Sequence, residues 1–188
     1  STLSSSSAAS DVYKRQPPTL RFLLAARRSE LLGLETLAST CELATRVSKL
    51  AHVLQKERGC SNLYLCGGQD TLRQTLAGLS SDASAVEEEV RRFLDRLEPD
   101  VTRSAGKARL LNCVAYALYR LDELPRLRGR IRDRRVVAEE AGAAFTKLIA
   151  SLFALVFEAA DSSLDAGVTQ LLVAVSYTHL TLPTKRIV

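Results

Sequence analysis

Between Leu20 and Leu65 the chain contains no proline and only two glycines, Gly33 and Gly59. Along the same stretch Leu37, Cys41, Ala44, Val47, Leu50, Ala51, Leu54, Ser61 and Leu65 recur at three- and four-residue steps. That spacing is one face of a long amphipathic helix and cannot be laid onto a strand, whose side chains alternate with period two. Pro17-Pro18 suits a helix start just beyond it, since proline at the first helical position loses no internal hydrogen bond. Gly67-Gly68 supplies the stop.

Four further segments follow the same rule. Leu72, Leu76, Leu79, Val86, Val90, Phe93 and Leu97 predict a helix from about Asp70 to Leu97, with Ser80-Ser81 as a possible interruption. Glu98-Pro99-Asp100 reads as a turn. Leu110, Leu111, Val114, Leu118 and Leu121 predict a third helix over about 101–124. Pro125 suits the first turn of a fourth, carrying Leu127, Ile131, Val137, Phe145, Leu148, Ile149, Leu152 and Val156 and ending near Ala160. Asp161, Ser162 and Ser163 have cap chemistry, and a fifth helix is expected to begin near Leu164 and to be cut off at Val175. No alternating strand pattern and no fixed-length repeat competes. Long helices with short connections predict an all-α, antiparallel up-down bundle.

Composition agrees: aromatics are 5% of 188 residues and charged residues 25%. Asp11, Lys14 and Arg15 leave +1 in residues 1–16, and Lys185 and Arg186 place +2 in residues 176–188. Only +2 of the formal +5 therefore lies in the middle, too little for a nucleic-acid-binding face. The cysteines at 41, 60, 66 and 113 lack metal-site spacing, and His52 shares no helix face with Cys60. Free thiols are expected, with no metal and no cofactor. No nucleophile–base set, phosphate loop or paired carboxylate points to an enzyme. No run of about 18 apolar residues or secretory leader is read, so no membrane partner is expected.

Arg58 breaks the helical pattern. On a wheel centred on Leu54 at 100° per residue, Arg58 lies at about +40°, Ser61 at about −20° and Glu57 at about −60°. Arg58 and Ser61 are thus expected to point with the apolar side chains, with Glu57 at the margin. A buried lone guanidinium costs several kcal/mol unless it is answered. Three answers are open: an ion pair with Glu57 or a carboxylate on another helix, a stem that covers the core while its head reaches water, or an incoming anion. The planar fork of arginine can hold two oxygens of a small flat oxyanion, and Ser61 could donate to a third. Gly59 weakens the helix by roughly 1 kcal/mol and either admits a neighbouring backbone or is incidental. Arg128 borders the fourth apolar stripe, where it could pair with Glu57 or line the anion pocket. The other arginines of 126–135 scatter over every face and read as solvated, and Glu87-Glu88-Glu89 with Arg91-Arg92 reads as surface pairing.

The segment Leu54-Gln55-Lys56-Glu57-Arg58-Gly59-Cys60-Ser61-Asn62 resembles the signature of the nitrate- and nitrite-sensing (NIT) domain. The resemblance runs on through KLAHVLQKERGCSNLYLCGG, LEP at 97–99 and LPRLRGRIRDRRVVAEEAGAAFTKLI at 124–149, and covers about residues 20–175. It is nearest to the sensor half of a nitrate-responsive transcription antiterminator. The resemblance implies two packed helical bundles, nitrate or nitrite held between helices by arginines with Arg58 among them, and a role as a signal-input domain. It also implies a homo-oligomer in the cytoplasm whose contact with RNA runs through a separate output domain of the ANTAR type. Other members of the family couple instead to a histidine kinase, a chemoreceptor or a cyclic-nucleotide enzyme. Further anion-contacting arginines, near a later KExxGxER-type motif, have no counterpart here, so the site is expected to be incomplete. Phe145 stands where the family commonly has tyrosine.

DVYKRQ near the start and SYTHLTLPTKRIV at the end resemble translated sequencing adapter. Residues 1–16 and 176–188 are accordingly expected to be non-native, disordered tails around a sensing domain of 17–175. The alternative to a sensor is a helical dimerisation or interaction module without a small-molecule ligand.

Overall fold

The computed structural model describes residues 17–67, 70–96 and 108–162. They form four helices: α1 (Pro18–Gly67), α2 (Asp70–Asp95), α3 (Ala108–Arg132) and α4 (Ala138–Ser162). The chain is all-α, as its periodicity predicts. The turn at 98–100 and the start of a fifth helix lie outside the described residues.

The chain divides into two compact units at Ser39/Thr40, and α1 contributes to both. In the first unit Phe22, Leu31 and Leu34 are largely exposed, and the Arg27–Glu30 pair is a surface contact. The second unit is a four-helix bundle whose directions follow from its side-chain pairs. Lys49 meets Glu89 and Glu57 meets Ser80, so α1 and α2 are antiparallel. Arg128 with Ser84 and Arg91 with Asp122 make α2 and α3 antiparallel. Arg130 with Glu140 and Arg109 with Glu158 do the same for α3 and α4. Glu57 with Arg128 and Tyr64 with Arg132 run in the same sense, so α1 and α3 are the parallel diagonal of an up-down bundle.

The core fills the space between them with Val47, Leu50 and Leu54 of α1, Val90 of α2, Leu121, Leu124 and Ile131 of α3, and Phe145, Leu152 and Leu155 of α4. Each such side chain contributes roughly 1.5–3 kcal/mol by leaving water. An 18-residue window of α4 reaches a mean hydropathy of 1.7, long and apolar enough to cross a membrane, where the sequence reading expected no such segment. More than half of that window is buried inside the bundle, as a core helix requires.

Two boundaries differ from the sequence reading. The pair Ser80-Ser81 does not interrupt α2. Pro125 does not start a helix; α3 runs through it to Arg132. A proline inside a helix costs about 3 kcal/mol, but Leu121, Leu124 and Ile131 anchor the apolar face on both sides of it. The stop comes instead at Asp133-Arg134-Arg135. Arg134 takes a left-handed conformation (φ 53°), its N–H donates to the Ile131 carbonyl at 3.0 Å, and the Arg135 N–H donates to the Arg130 carbonyl at 2.8 Å. This is the Schellman arrangement with arginine where glycine is usual. The Arg134 guanidinium lies 4.7 Å from the Tyr64 ring centre, a cation–π contact that helps offset the unfavourable φ. Glu139 and Glu140 then sit in the first turn of α4, where they favour the positive end of the helix dipole.

Replacing Pro125 with alanine should raise stability by roughly 1–3 kcal/mol, because it restores an internal helical hydrogen bond. Urea denaturation of both proteins measures this; an unchanged or lower midpoint would fit a helix that begins at Pro125.

Candidate functional site

The polar centre of the bundle is built on Glu57, whose residue is 1% exposed. Arg128 holds it with a fork: Nε donates to Oε1 at 2.7 Å and Nη2 to Oε2 at 2.9 Å. Ser80 donates a third hydrogen bond to Oε1 at 2.7 Å. Arg128 also donates from Nη1 to Ser84 Oγ at 2.9 Å and lies 3.6 Å from Glu87. Glu87 is in turn paired with Arg91, which reaches Asp122 at 2.9 Å. The network ties α1, α2 and α3 together. Of the pairings open to Arg128 in the sequence, it makes the one with Glu57. Glu87 is buried rather than a surface partner, although its i,i+4 pairing with Arg91 is as predicted.

The wheel assignment of Arg58 and Glu57 needs correction. Glu57 faces inward; Arg58 is only half-buried and lies toward α4, donating from Nη1 to Thr146 Oγ1 at 3.0 Å. The Thr146 hydroxyl in turn donates to the Gly142 carbonyl at 2.8 Å. The cause is a shift of the buried arc: beyond Leu54 the buried residues of α1 are Glu57, Cys60, Ser61 and Tyr64, at about −60°, −120°, −20° and −80° on the same wheel. By Glu57 the buried centre has moved toward the Glu57 side, leaving Arg58 on the opposite margin. Adjacent residues therefore grip opposite sides of the bundle.

Ser61 is fully buried but does not join Arg58. Its hydroxyl donates to the Glu57 carbonyl one turn back at 2.7 Å, and it faces the α2–α3 side. The polar side chain that shares Arg58's face is Asn62, one turn on. Its amide packs where α4 has Gly142, 3.5 Å from the position a Cβ would take there, and its buried Oδ1 has no hydrogen-bond partner among the described residues. Gly59 has open space where a Cβ would stand, so it admits no neighbouring backbone. Neither Asn62 nor Thr146 was singled out in the sequence. The i,i+4 spacing of Arg58 and Asn62 was a signal available for the first; nothing local marks the second.

A cavity of about 440 Å³ opens between α1, α2 and α3 beside the Glu57–Arg128 pair. Arg58 does not line it. Among the described residues no group of His, Cys, Asp and Glu could hold a metal ion. Burial, and next the Glu57 carboxylate, push the Cys60 thiol up from its ordinary pKa, whereas Cys41 and Cys66 are exposed.

A family model described as nitrate and nitrite sensing matches residues 49–179. The nitrate regulatory protein of Klebsiella oxytoca is 37% identical over 158 residues, which are 84% of this chain and 39% of that protein. The solved structure of the NasR transcription antiterminator matches with a TM-score of 0.70 at 31% identity, over 84% of this chain and 42% of that one. The chain thus spans about two fifths of the length of these relatives.

Arg128→Met should destabilise the fold by about 3–5 kcal/mol, because it leaves the Glu57 carboxylate buried without its cation. The double variant with Glu57→Leu should recover most of that loss in chemical denaturation. Full additivity of the two substitutions would show that the pair is not coupled. Gly59→Ala should stabilise by roughly 1 kcal/mol on the same measurement. With a disulfide-exchange reagent at pH 8, Cys41 and Cys66 should be modified in the native protein well before Cys60.

Proposed function

This chain belongs to the nitrate and nitrite sensing family, and on that premise we propose that Arg58 receives the sensed anion on the face α1 turns toward α4. The observation that carries the reading is the contrast between two arginines. Arg128 is answered by a buried carboxylate with a two-pronged contact. Arg58, half-buried on the next residue's side of the helix, has no acidic partner among the described residues and spends one donor on Thr146. A guanidinium has five donors in a flat fork, so most of its hydrogen-bonding capacity remains for an oxyanion. Nitrate and nitrite offer coplanar oxygens to such a fork; chloride does not. Asn62, on the same face, supports the reading more directly than Ser61, whose hydroxyl is already committed to the helix backbone.

In this mechanism Arg58 leaves or shares Thr146 as the anion binds, and α1 and α4 settle into a closer packing. If the anion binds one of two packings better, it shifts the population toward that one. Because Glu57 directly precedes Arg58 on α1, the change is passed to α2 and α3 through the hydrogen bonds of Glu57. For the output we propose, as the family resemblance implies, a cytoplasmic regulator whose separate RNA-binding domain antiterminates transcription; the solved relative is a transcription antiterminator. The exposed Phe22, Leu31 and Leu34 favour a second role for the first unit, self-association of the sensor into a homo-oligomer.

Isothermal titration of the intact protein with nitrate, nitrite and chloride tests the assignment. Nitrate or nitrite should bind more tightly than chloride, and Arg58→Ala should weaken that binding about 10- to 100-fold, the value of a lost charge-assisted contact. Equal heats for all three salts, unchanged in Arg58→Ala, would favour an interaction module without a small-molecule ligand.

A further inference from the structure

The face that α1 turns toward α4 carries two polar rungs. On the first, Arg58 stands opposite Thr146, with Nη1 donating to Oγ1 at 3.0 Å. On the second, one turn further along α1 and one turn back along α4, Asn62 lies against Gly142. Side chains at i and i+4 of a helix are about 6 Å apart, so a small ion held by Arg58 comes within reach of Asn62.

Asn62 is the member of this face that packing does not explain. Its Oδ1 is buried with no hydrogen-bond partner among the described residues, which is costly for a polar atom away from water. An apolar side chain of similar size would fill the same space and carry no such cost. The amide also stands evenly against α4. Oδ1 is 3.5 Å and Nδ2 3.6 Å from the position a Cβ would take on Gly142. A half-turn about χ2, a broad two-fold torsion in asparagine, exchanges the two ends without changing that contact. The buried position can therefore hold an acceptor or a pair of N–H donors.

We propose that Asn62 is the residue that sets nitrate above nitrite in this chain, an inference that rests on the assignment of the anion to Arg58. The flat fork of Arg58 takes two coplanar oxygens. Both anions supply those two. Nitrate has a third oxygen in the same plane, directed away from the fork and toward the second rung. With its amide turned so that Nδ2 takes the buried position, Asn62 donates to that oxygen and the unanswered polar atom is gone. Nitrite presents at the same place only a lone pair on nitrogen, a weaker acceptor that lies closer to the fork. The contact with Asn62 is then lost, and the cost of the buried amide stays.

The test is calorimetric titration of the full chain with sodium nitrate and sodium nitrite. The unaltered protein should bind nitrate about tenfold more tightly than nitrite, the worth of one hydrogen bond to an ion. Asn62→Leu keeps the bulk and removes the amide. It should weaken nitrate about tenfold and nitrite less than twofold, so that the two salts bind alike. The same variant should raise the urea midpoint, because it removes a buried polar atom without a partner; a residue that merely held α1 to α4 would lower it. Asn62→Asp should abolish binding of both anions, since its carboxylate would occupy the Arg58 fork. The proposal is overturned if Asn62→Leu weakens both salts equally or neither, or if Asn62→Asp binds nitrate unimpaired. Arg58→Ala separates the two possible failures. If it weakens both salts while Asn62→Leu keeps the preference, this inference alone falls; if it changes neither titration, the assignment of the anion to Arg58 falls with it.

Discussion

A carboxylate that sits almost wholly out of water at the middle of a helical bundle dictates much of what surrounds it. Glu57 has to be answered by a fixed cation and by further donors, since an unanswered buried charge costs more than the fold can spare. Arg128 supplies the cation from the diagonal helix and Ser80 a further donor from α2. Apolar packing alone would let these helices slide by a turn with modest loss. The two-pronged contact fixes the register of α1 against α3, because the same atoms meet at one axial offset only. Arg91, Glu87 and Asp122 extend the same discipline toward the other end of α2 and α3.

The consequence for sensing lies in adjacency. Two neighbouring side chains on one rigid helix face different partners: one is locked into the bundle's centre, the other reaches for α4 with capacity to spare. A displacement of α1 that improves the contact of Arg58 cannot leave Glu57 where it was, since a helix turns as a body. In the proposed mechanism, an event on the α4 side reaches α2 and α3 through this shared residue pair, without any long chain of intermediates.

Much of this was legible in the sequence, and the failures have physical causes. The helical class, the ends of α1 and the α2 span follow from periodicity and from Pro17-Pro18 and Gly67-Gly68. The likeness around Leu54–Asn62 pointed to the family. Pro125 misled because proline is the strongest local signal for a boundary, while the burial of Leu121, Leu124 and Ile131 that overrides it is tertiary. The true stop at Arg134 carries no glycine to announce it. The inward residue at 57–58 was misassigned because a wheel centred on Leu54 misses the later buried residues Glu57, Cys60, Ser61 and Tyr64, which all lie to one side of it. Ser61 was placed on the correct buried face but credited with a free proton that its own helix uses. The cavity was invisible, since Arg73, Ser80 and Arg132 come together only when α2 and α3 lie side by side.

The corner between α3 and α4 has a property that neither helix has alone. Its reversal is closed by main-chain hydrogen bonds, but Tyr64, on α1, lies beneath it, bonded to the Arg132 carbonyl at 3.2 Å and stacked by Arg134. A corner held in this way cannot fray by itself. It opens only when the last turns of α1 open with it, so a stretch of backbone that looks like a surface loop belongs to the same cooperative unit as the sensor's central helix.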